Sequence, residues 1–330
     1  MVTQLNKDFF LIPIPMPNNP LKTLNAYLIR GEKCLLIDTG FNIDVCETAM
    51  LAALRELDVS KERLDIFITH FHSDHVGLAN RLLTPSSRLL CNKRIGRLDA
   101  NYIMEKQKKF NKLHLTSNAF NVPVGADAPA RVNEFDIGFT EIPENVRYLS
   151  EGDTISYGEY HFTYIDTPGH AFDHGCLYET NKKWLFCGDC ILKDITPNIS
   201  SFSPEENPLE EYMKSLDKIA DNKLSVAYCG HGQPVTDIHS RIEEIKAHHS
   251  DRLAEVVGIL SDGSFTAEAI ASKMQWNIEE SDWDRFSRVQ KYFATSEAAA
   301  HLVYLYKAGK VKRTENNLGL FFSNIDQDGK

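Results

Sequence analysis

Four side chains that can bind a metal ion lie within six residues of one another. They are His70, His72, Asp74 and His75, and they follow directly after the apolar run 64–68, which predicts a buried strand. A turn at the end of a strand can direct the three imidazoles and the carboxylate toward one or two points. A polar surface loop that happens to be rich in histidine is the alternative, but this spacing in this position favours a metal-binding loop.

Three further side chains of metal-binding type lie just beyond predicted strands. They are His170, Asp189 and His231, and they follow the β-forming segments 154–166, 183–188 and 224–228. The resulting five imidazoles and two carboxylates suit borderline divalent ions such as zinc. Because one catalytic zinc takes about three protein ligands and leaves a position for water, the set fits two ions better than one.

A pair of metal ions predicts hydrolytic chemistry. Two ions about 3.5–4 Å apart can share a water molecule, lower its pKa toward neutrality and polarise a substrate oxygen. Such a site supplies both a nucleophile, the metal-bridging hydroxide, and an electrophile, so no serine or cysteine nucleophile is required. The sequence therefore predicts a metal-dependent hydrolase.

These segments resemble the motifs of the metallo-β-lactamase-fold hydrolase superfamily. The signature His-x-His-x-Asp-His is complete at 70–75, and it is joined by Thr-Pro-Gly-His at 167–170, Gly-Asp at 188–189 and Gly-His-Gly at 230–232. The resemblance covers about residues 10–240, and its motifs are highly specific as a set. It implies an α/β fold, a four-layer αββα sandwich with the site at one edge of its two sheets.

The resemblance also implies how the ligands divide between two ions. The first metal would be held by His70, His72 and His170, the second by Asp74, His75 and His231, and Asp189 would bridge them. Asp74 would also orient the bridging hydroxide and pass a proton to the leaving group, as a general acid does. Zn²⁺ is the expected metal, and Mn²⁺ or Fe²⁺ could occupy similar nitrogen and oxygen sites.

Residues beside these ligands have predicted roles of their own. Asp38 ends a predicted strand and is expected to accept backbone N–H groups. His174 either orients a ligand through a hydrogen bond or is simply packed. Cys187 and Cys190 flank Asp189, the implied bridging ligand. The best-known zinc β-lactamases have a cysteine at the position that Asp189 occupies here. Both thiols are expected to be buried fillers.

The pattern of elements predicts two domains. Alternating strands and helices indicate a layered α/β catalytic domain over 1–238. Within it, the basic and aromatic stretch 94–147 is interpreted as an insertion that could cover the metal loop as a lid, the alternative being a surface excursion without substrate contact. Three helices and a terminal β-ribbon over 239–330 predict a winged helix. This tail is similar to the appendage of a subgroup that includes a mitochondrial β-lactamase-like ribonuclease.

Composition limits the compartment and the partners. The net charge of −10 and a pI near 5.7 argue against broad attraction to nucleic acid or anionic lipid. The seven cysteines are scattered and odd in number, which favours a reducing compartment. The N-terminus lacks the order of a secretory signal, and no apolar run approaches a membrane span. We therefore expect a cytoplasmic protein without a membrane partner.

Two functions follow from the sequence. The favoured one is hydrolysis of a small-molecule ester, thioester or lactone, and a thioesterase like glyoxalase II is one form of it. Against a lactonase, Leu192 stands where quorum-signal lactonases carry tyrosine. The alternative is a metal-dependent ribonuclease that binds RNA through its winged helix, with a modest basic cluster at 307–313. Redox chemistry at a diiron centre conflicts with His72, and the helical tail is compatible with a homodimer.

Overall fold

The N-terminal half of the described chain supplies the strands of a seven-stranded sheet. The computed structural model describes residues 1–97, 144–201, 203–276, 282–317 and 319–325. Within these ranges the strands run in sheet order β1 (Thr3–Asn6), β2 (Phe9–Pro15), β3 (Thr23–Ile29), β4 (Cys34–Ile37), β5 (Leu64–Phe67), β6 (Leu89–Asn92) and β7 (Val146–Leu149). Neighbours are antiparallel from β1 to β4 and parallel from β4 to β7.

A second sheet follows along the chain. Its described strands are ordered β12-β11-β10-β9-β8, with β8 at Thr154–Tyr157, β9 at Tyr160–Asp166, β10 at Gly175–Glu179, β11 at Trp184–Gly188 and β12 at Val226–Cys229. The pairing is antiparallel from β8 to β11 and parallel between β11 and β12. The β-forming segment predicted at 154–166 contains two strands, β8 and β9, which pair as a tight hairpin.

The two sheets pack against each other through an aromatic core. One sheet contributes Phe9, Tyr27 and Phe67, and the other contributes rings such as Tyr164 and Phe186, all buried in one cluster. Side chains of a strand alternate between its two faces, so each sheet can direct one set of bulky residues inward. Burial of this apolar area stabilises the sandwich and fixes the relative positions of the strand ends.

Helices accompany the sheets. The described α-helices are α1 (Asp44–Glu56), α2 (Ser73–Val76), α3 (Ala79–Leu82), α4 (Pro208–Ala220), α5 (Ile238–Ile259), α6 (Ala267–Ala271) and α7 (Arg288–Lys307). On α1 the apolar residues Cys46, Met50, Ala53 and Leu54 are buried, as their helical spacing predicts. The Cys46 thiol donates to the Pro15 carbonyl of β2, which places α1 against the first sheet. The predicted α/β sandwich is thus confirmed.

The chain divides into two compact units. The first comprises the described parts of Met1–Gly96, Pro129–Pro197 and Ser215–Ile242, and contains both sheets. The second comprises those of Arg97–Ala128, Asn198–Lys214 and Glu243–Lys330.

The second unit has a core of its own. Residues from α5, α6 and α7 bury apolar side chains together with the antiparallel ribbon β13 (Val311–Asn316) and β14 (Gly319–Asn324). Ser287 and Gln290 form a capping box that begins α7. The winged-helix assignment and the domain boundaries stay predictions.

The stretch that was predicted as an insertion overlaps a strand of the first sheet. Val146–Leu149 forms β7 and pairs with β6, and its first two residues belong to the stretch 94–147 that was predicted to be an insertion. Most of the predicted lid at 94–147 lies outside the described residues. Across the described ranges, no helix combines the length and apolar character that crossing a membrane would require.

Candidate metal centre

Parallel strand pairs bring the predicted ligands to one edge of the sandwich. Strands β11 and β12 are parallel neighbours, so Asp189 and His231 leave the sheet at the same end. Likewise β4 and β5 are parallel neighbours, so Asp38 and the loop that begins at Thr69 emerge together. The loop after β9, which carries His170, joins them because the Gly175 N–H donates to the Thr69 carbonyl at 2.8 Å.

The first group of ligand atoms consists of three imidazoles. Nε2 of His70 lies 2.9 Å from Nδ1 of His72, and Nε2 of His170 lies 3.2 Å from the same Nδ1. Burial and the neighbouring imidazoles hold the pKa of His70 well below its usual range. Burial, aided by His170, lowers the pKa of His72 to about 3. Both rings are therefore neutral, the form in which imidazole binds a metal.

The tautomer of His70 follows from Thr69. The Thr69 hydroxyl lies 2.9 Å from a carboxylate oxygen of Asp38 and 3.1 Å from Nδ1 of His70. Because a carboxylate only accepts hydrogen bonds, the hydroxyl donates to Asp38 and accepts from Nδ1–H of His70. The lone pair of His70 is then on Nε2, the atom that faces His72.

The second group combines imidazoles with carboxylates. Oδ2 of Asp74 lies 3.2 Å from Nε2 of His231 and 3.7 Å from Nε2 of His75. Nδ1 of His75 is bonded to Asp38 at 2.8 Å, and Nδ1 of His231 donates to the Thr23 carbonyl at 2.9 Å. Each ring therefore has its Nε2 atom directed toward the carboxylates, with its tautomer fixed by a partner on the other nitrogen.

Asp189 lies between the two groups. Its Oδ2 atom is 3.8 Å from Nε2 of His170 and 3.5 Å from Nε2 of His231. Its Oδ1 atom is 3.5 Å from Nε2 of His75. All seven predicted ligands thus come together, and among the described residues they form three overlapping groups whose ligand atoms lie within 4.8 Å of one another.

The donor set fits divalent cations. Nε2 of His75, Nε2 of His231 and Oδ1 of Asp189 are buried, and none forms a hydrogen bond with a described residue. Buried polar atoms without a partner are rare in folded proteins, and a metal ion would satisfy all three. The negative charge at this end of the site also suits a cation. Burial lowers the pKa of His75, but the carboxylates of Asp189, Asp38 and Asp74 outweigh that effect and raise it well above its usual range.

The accessory residues have defined contacts. Asp38 accepts the backbone N–H of Thr69 at 2.9 Å, in addition to its bond to His75. His174 is buried, with Nδ1 2.8 Å from the Thr167 hydroxyl and with Nε2 unpartnered among the described residues. Cys187 and Cys190 are both buried. These contacts leave His174 packed beside the site, with its ring centre 5.0 Å from that of His70.

Asp173 and Asn25 also support the candidate ligands, and the sequence did not predict either role. Asp173 accepts the backbone N–H of Phe71 at 2.9 Å, between two candidate ligands. The amide of Asn25 donates to the carbonyls of Cys229 and Gly232, on either side of His231, at 3.2 and 2.8 Å. The available signals were weak: an acidic residue shortly after His170, and one polar residue in an otherwise apolar strand.

Comparison with known protein families identifies the fold. The profile of the metallo-beta-lactamase superfamily matches residues 22–231, which include every candidate ligand. In sequence the chain is similar to the probable metallo-hydrolase YqjP of Bacillus subtilis, with 23% identity over 90% of this chain and 91% of that protein. It is also similar to a beta-lactamase-like protein 2 homolog of Caenorhabditis elegans, with 28% identity over 73% of this chain and 67% of that protein.

Two solved structures are similar to this protein along nearly the whole chain. A metallo-beta-lactamase family protein from Thermus thermophilus is 28% identical, with a TM-score of 0.79 over 97% of this chain and 100% of that chain. A beta-lactamase domain protein from Burkholderia ambifaria is 25% identical, with a TM-score of 0.80 over 98% of this chain and 93% of that chain. The chain therefore belongs to the metallo-beta-lactamase superfamily and is a metallo-hydrolase of that superfamily.

Proposed function

We propose that this protein is a dinuclear zinc hydrolase that cleaves a small-molecule ester or thioester, or a lactone. The observation that carries the proposal is the position of Asp189, whose two carboxylate oxygens lie 3.5–3.8 Å from imidazole nitrogens of both ligand groups. Each group alone offers about the three ligands that a catalytic zinc ion takes. A shared carboxylate between two incomplete shells is what a pair of ions requires.

The seven candidate ligands would divide between the two ions. His70, His72 and His170 would hold one ion, Asp74, His75 and His231 the other, and Asp189 would contact both. When bound, the ions would lower the pKa of water and polarise the substrate carbonyl.

Asp74 is the residue best placed to move a proton. Its side chain is 15% exposed, whereas that of His75 beside it is fully buried. As the water oxygen bonds to the substrate carbonyl carbon, the Asp74 carboxylate accepts the proton that the water loses. It then donates this proton to the leaving oxygen or sulfur when the C–O or C–S bond breaks. The cycle ends with Asp74 ionised again.

Leu192 supports an ester or thioester over a lactone. Its side chain is 4% exposed, and it stands where the quorum-signal lactonases carry a tyrosine. A buried aliphatic side chain offers no hydroxyl to a substrate, so the feature that distinguishes those lactonases is missing.

The contacts of the C-terminal basic residues support a small molecule over RNA. The Lys307 ammonium donates to the Glu205 carbonyl at 2.9 Å. The Arg313 guanidinium lies 4.8 Å from the centre of the Tyr306 ring and 3.9 Å from a Glu205 carboxylate oxygen. These cations already have intramolecular partners, and the net charge of −10 further opposes a polyanion.

Metal counting and a substrate panel test the proposal. Purified protein loaded with zinc should contain two ions per chain by mass spectrometry, and it should hydrolyse thioesters or esters faster than phosphodiesters or a β-lactam. Asp189→Ala should lose metal and turnover together, because the shared ligand is gone. The matched control is His239→Ala, which removes an exposed histidine. Full metal content and turnover in His70→Ala would refute the ligand assignment, and faster phosphodiester cleavage would favour the ribonuclease.

A further inference from the structure

Asp173 is a buried carboxylate beside the candidate metal centre, and none of the proposed steps uses it. It lies three residues beyond His170, and only 2% of its surface is exposed. Its Oδ2 atom accepts the backbone N–H of Phe71 at 2.9 Å. Because Phe71 stands between His70 and His72, this bond joins the loop that carries His170 to the backbone that carries two ligands of the same ion.

The loop that carries His170 is also held by hydrogen bonds to Asp166 and Phe172, so the backbone next to Asp173 is fixed. Arg94, just after β6, donates to the Phe172 carbonyl at 2.7 Å and to the Asp166 carboxylate at 2.9 Å. Asn92 donates to the other oxygen of Asp166 at 2.7 Å. The segment from 166 to 172 is therefore held by residues at and just after the end of β6, and Asp173 follows it directly in the chain.

The Phe71 N–H needs this partner because Phe71 is itself buried, with 8% of its surface exposed. A buried N–H that loses its acceptor is destabilising, which favours rotation of the peptide toward another acceptor. Such a rotation would move the backbone on which the flanking His70 and His72 imidazoles are mounted. The separation of 2.9 Å between their facing nitrogens would then change.

We propose that Asp173 is a positioning residue for the ion held by His70, His72 and His170. The inference rests on the proposed function, since it needs those imidazoles to be metal ligands. The second group is supported separately, because Asp38 orients His75 and the Thr23 carbonyl orients His231. Removal of Asp173 therefore weakens one of the two metal positions and leaves the other in place.

Zinc binding by three full-length variants tests this assignment. Asp173→Ala should retain the second ion and bind the first about 10–100-fold more weakly in chelator competition, the usual cost of removing a residue that orients a metal ligand. Asp173→Asn should stay within about threefold of the wild type, because its amide oxygen can still accept the Phe71 N–H. The matched control is Glu179→Ala. Glu179 is also buried and accepts the backbone N–H of His161 and of Lys182, but it is the last residue of β10, at the opposite end of that strand from Gly175.

The control separates positioning from general stability. Glu179→Ala should lower the thermal midpoint while both ions remain bound with wild-type affinity. If Asp173→Ala does not fold, Asp173→Ser, whose side chain is one bond shorter, replaces it with the same expected loss. Wild-type affinity for both ions in Asp173→Ala, or equal metal loss in Glu179→Ala, overturns the inference alone. A wild-type protein that binds no zinc overturns both the inference and the proposed function.

Discussion

Asp38 shows how a single side chain can organise several others. One of its oxygens accepts the Thr69 backbone N–H, and the other faces Nδ1 of His75 at 2.8 Å. The residue has a φ of 58°, a left-handed conformation that aspartate tolerates better than most residues. The sequence predicted a carboxylate that accepts backbone N–H groups at this position. It could not predict the bond to His75, because the partners are 37 residues apart and meet only through the pairing of β4 with β5.

Replacement of Asp38 by alanine should weaken metal binding without removing a ligand. Nδ1 of His75 would lose its acceptor, so the ring would no longer be held with Nε2 toward Asp189. We expect an affinity loss of about 10–100-fold, as is usual for the carboxylate partner of a metal-bound histidine. Chelator competition, with zinc counted per folded chain, measures the change.

Asp65 provides the control for this variant. It is as buried as Asp38, but its hydrogen bonds go to Arg88 and to the Tyr157 hydroxyl. Asp65→Ala should therefore lower stability and leave zinc affinity in the folded fraction unchanged. Equal zinc affinity in Asp38→Ala and the wild type would show that His75 does not need this carboxylate.

At the scale of the elements, the ends of β11 and β12 pack directly against the candidate metal centre. Gly230 follows β12, and a Cβ atom there would lie 2.5 Å from Oδ1 of Asp189 and 2.8 Å from Cε1 of His75. Gly188 ends β11 with a φ of 45°, and a Cβ atom there would lie 2.6 Å from the Thr69 hydroxyl oxygen. The Gly-Asp and Gly-His-Gly motifs thus have a steric reason, since the two strand ends must approach the ligands without side chains of their own.

Gly230→Ala should disrupt the shared carboxylate. The added methyl group cannot occupy the space held by Asp189 and His75, so at least one of these side chains must move. We expect less than two zinc ions per chain and a loss of turnover in a protein that still folds, as judged by circular dichroism. Gly258→Ala is the matched control, because a Cβ atom on Gly258 would meet nothing within 4 Å and alanine favours the helix α5. Two tightly bound ions in Gly230→Ala would contradict this account.

At the scale of the whole molecule, the sequence predicted the features that depend on residues close together in the chain. Apolar and β-forming runs predicted several of the strands, and the histidines and carboxylates that follow these runs gave the seven candidate ligands. The strand β7 was missed because its exposed residues, such as Arg147 and Tyr148, give no apolar run. Asp173 and Asn25 were missed for another reason: their partners are 102 and more than 200 residues away. Contacts of this kind exist only after the sheets have paired.

The second unit contains a buried pair of histidines unrelated to the metal centre. Nδ1 of His301 donates to the Glu297 carbonyl at 2.8 Å, so its Nε2 atom accepts from Nδ1–H of His249 at 3.2 Å. Both side chains are fully buried. Burial, with the other cations nearby, lowers the pKa of His249 to about 2 and that of His301 to about 4. A proton on Nε2 of His301 would also place two N–H groups against each other.

These histidines should make the second unit sensitive to acid. In the unfolded chain both titrate near pH 6.5, whereas in the folded protein they stay neutral down to about pH 4. Below pH 6.5 the unfolded state therefore binds more protons than the folded state, and stability falls as the pH falls. Each histidine contributes about 1.4 kcal/mol per pH unit, or about 2 kcal/mol between pH 6.5 and 5.

Replacement of one histidine should remove its contribution to the loss of stability at acidic pH. In His301→Gln, the loss of unfolding free energy between pH 6.5 and 5, measured by urea denaturation of the metal-free protein, should be about 2 kcal/mol smaller than in the wild type. The exposed His239→Gln serves as the control and should keep the wild-type dependence. Comparison of variants at the same two pH values cancels the contribution of the metal-centre histidines, which all three proteins share. If His301→Gln lost as much stability as the wild type, the buried pair would already be charged in the folded state.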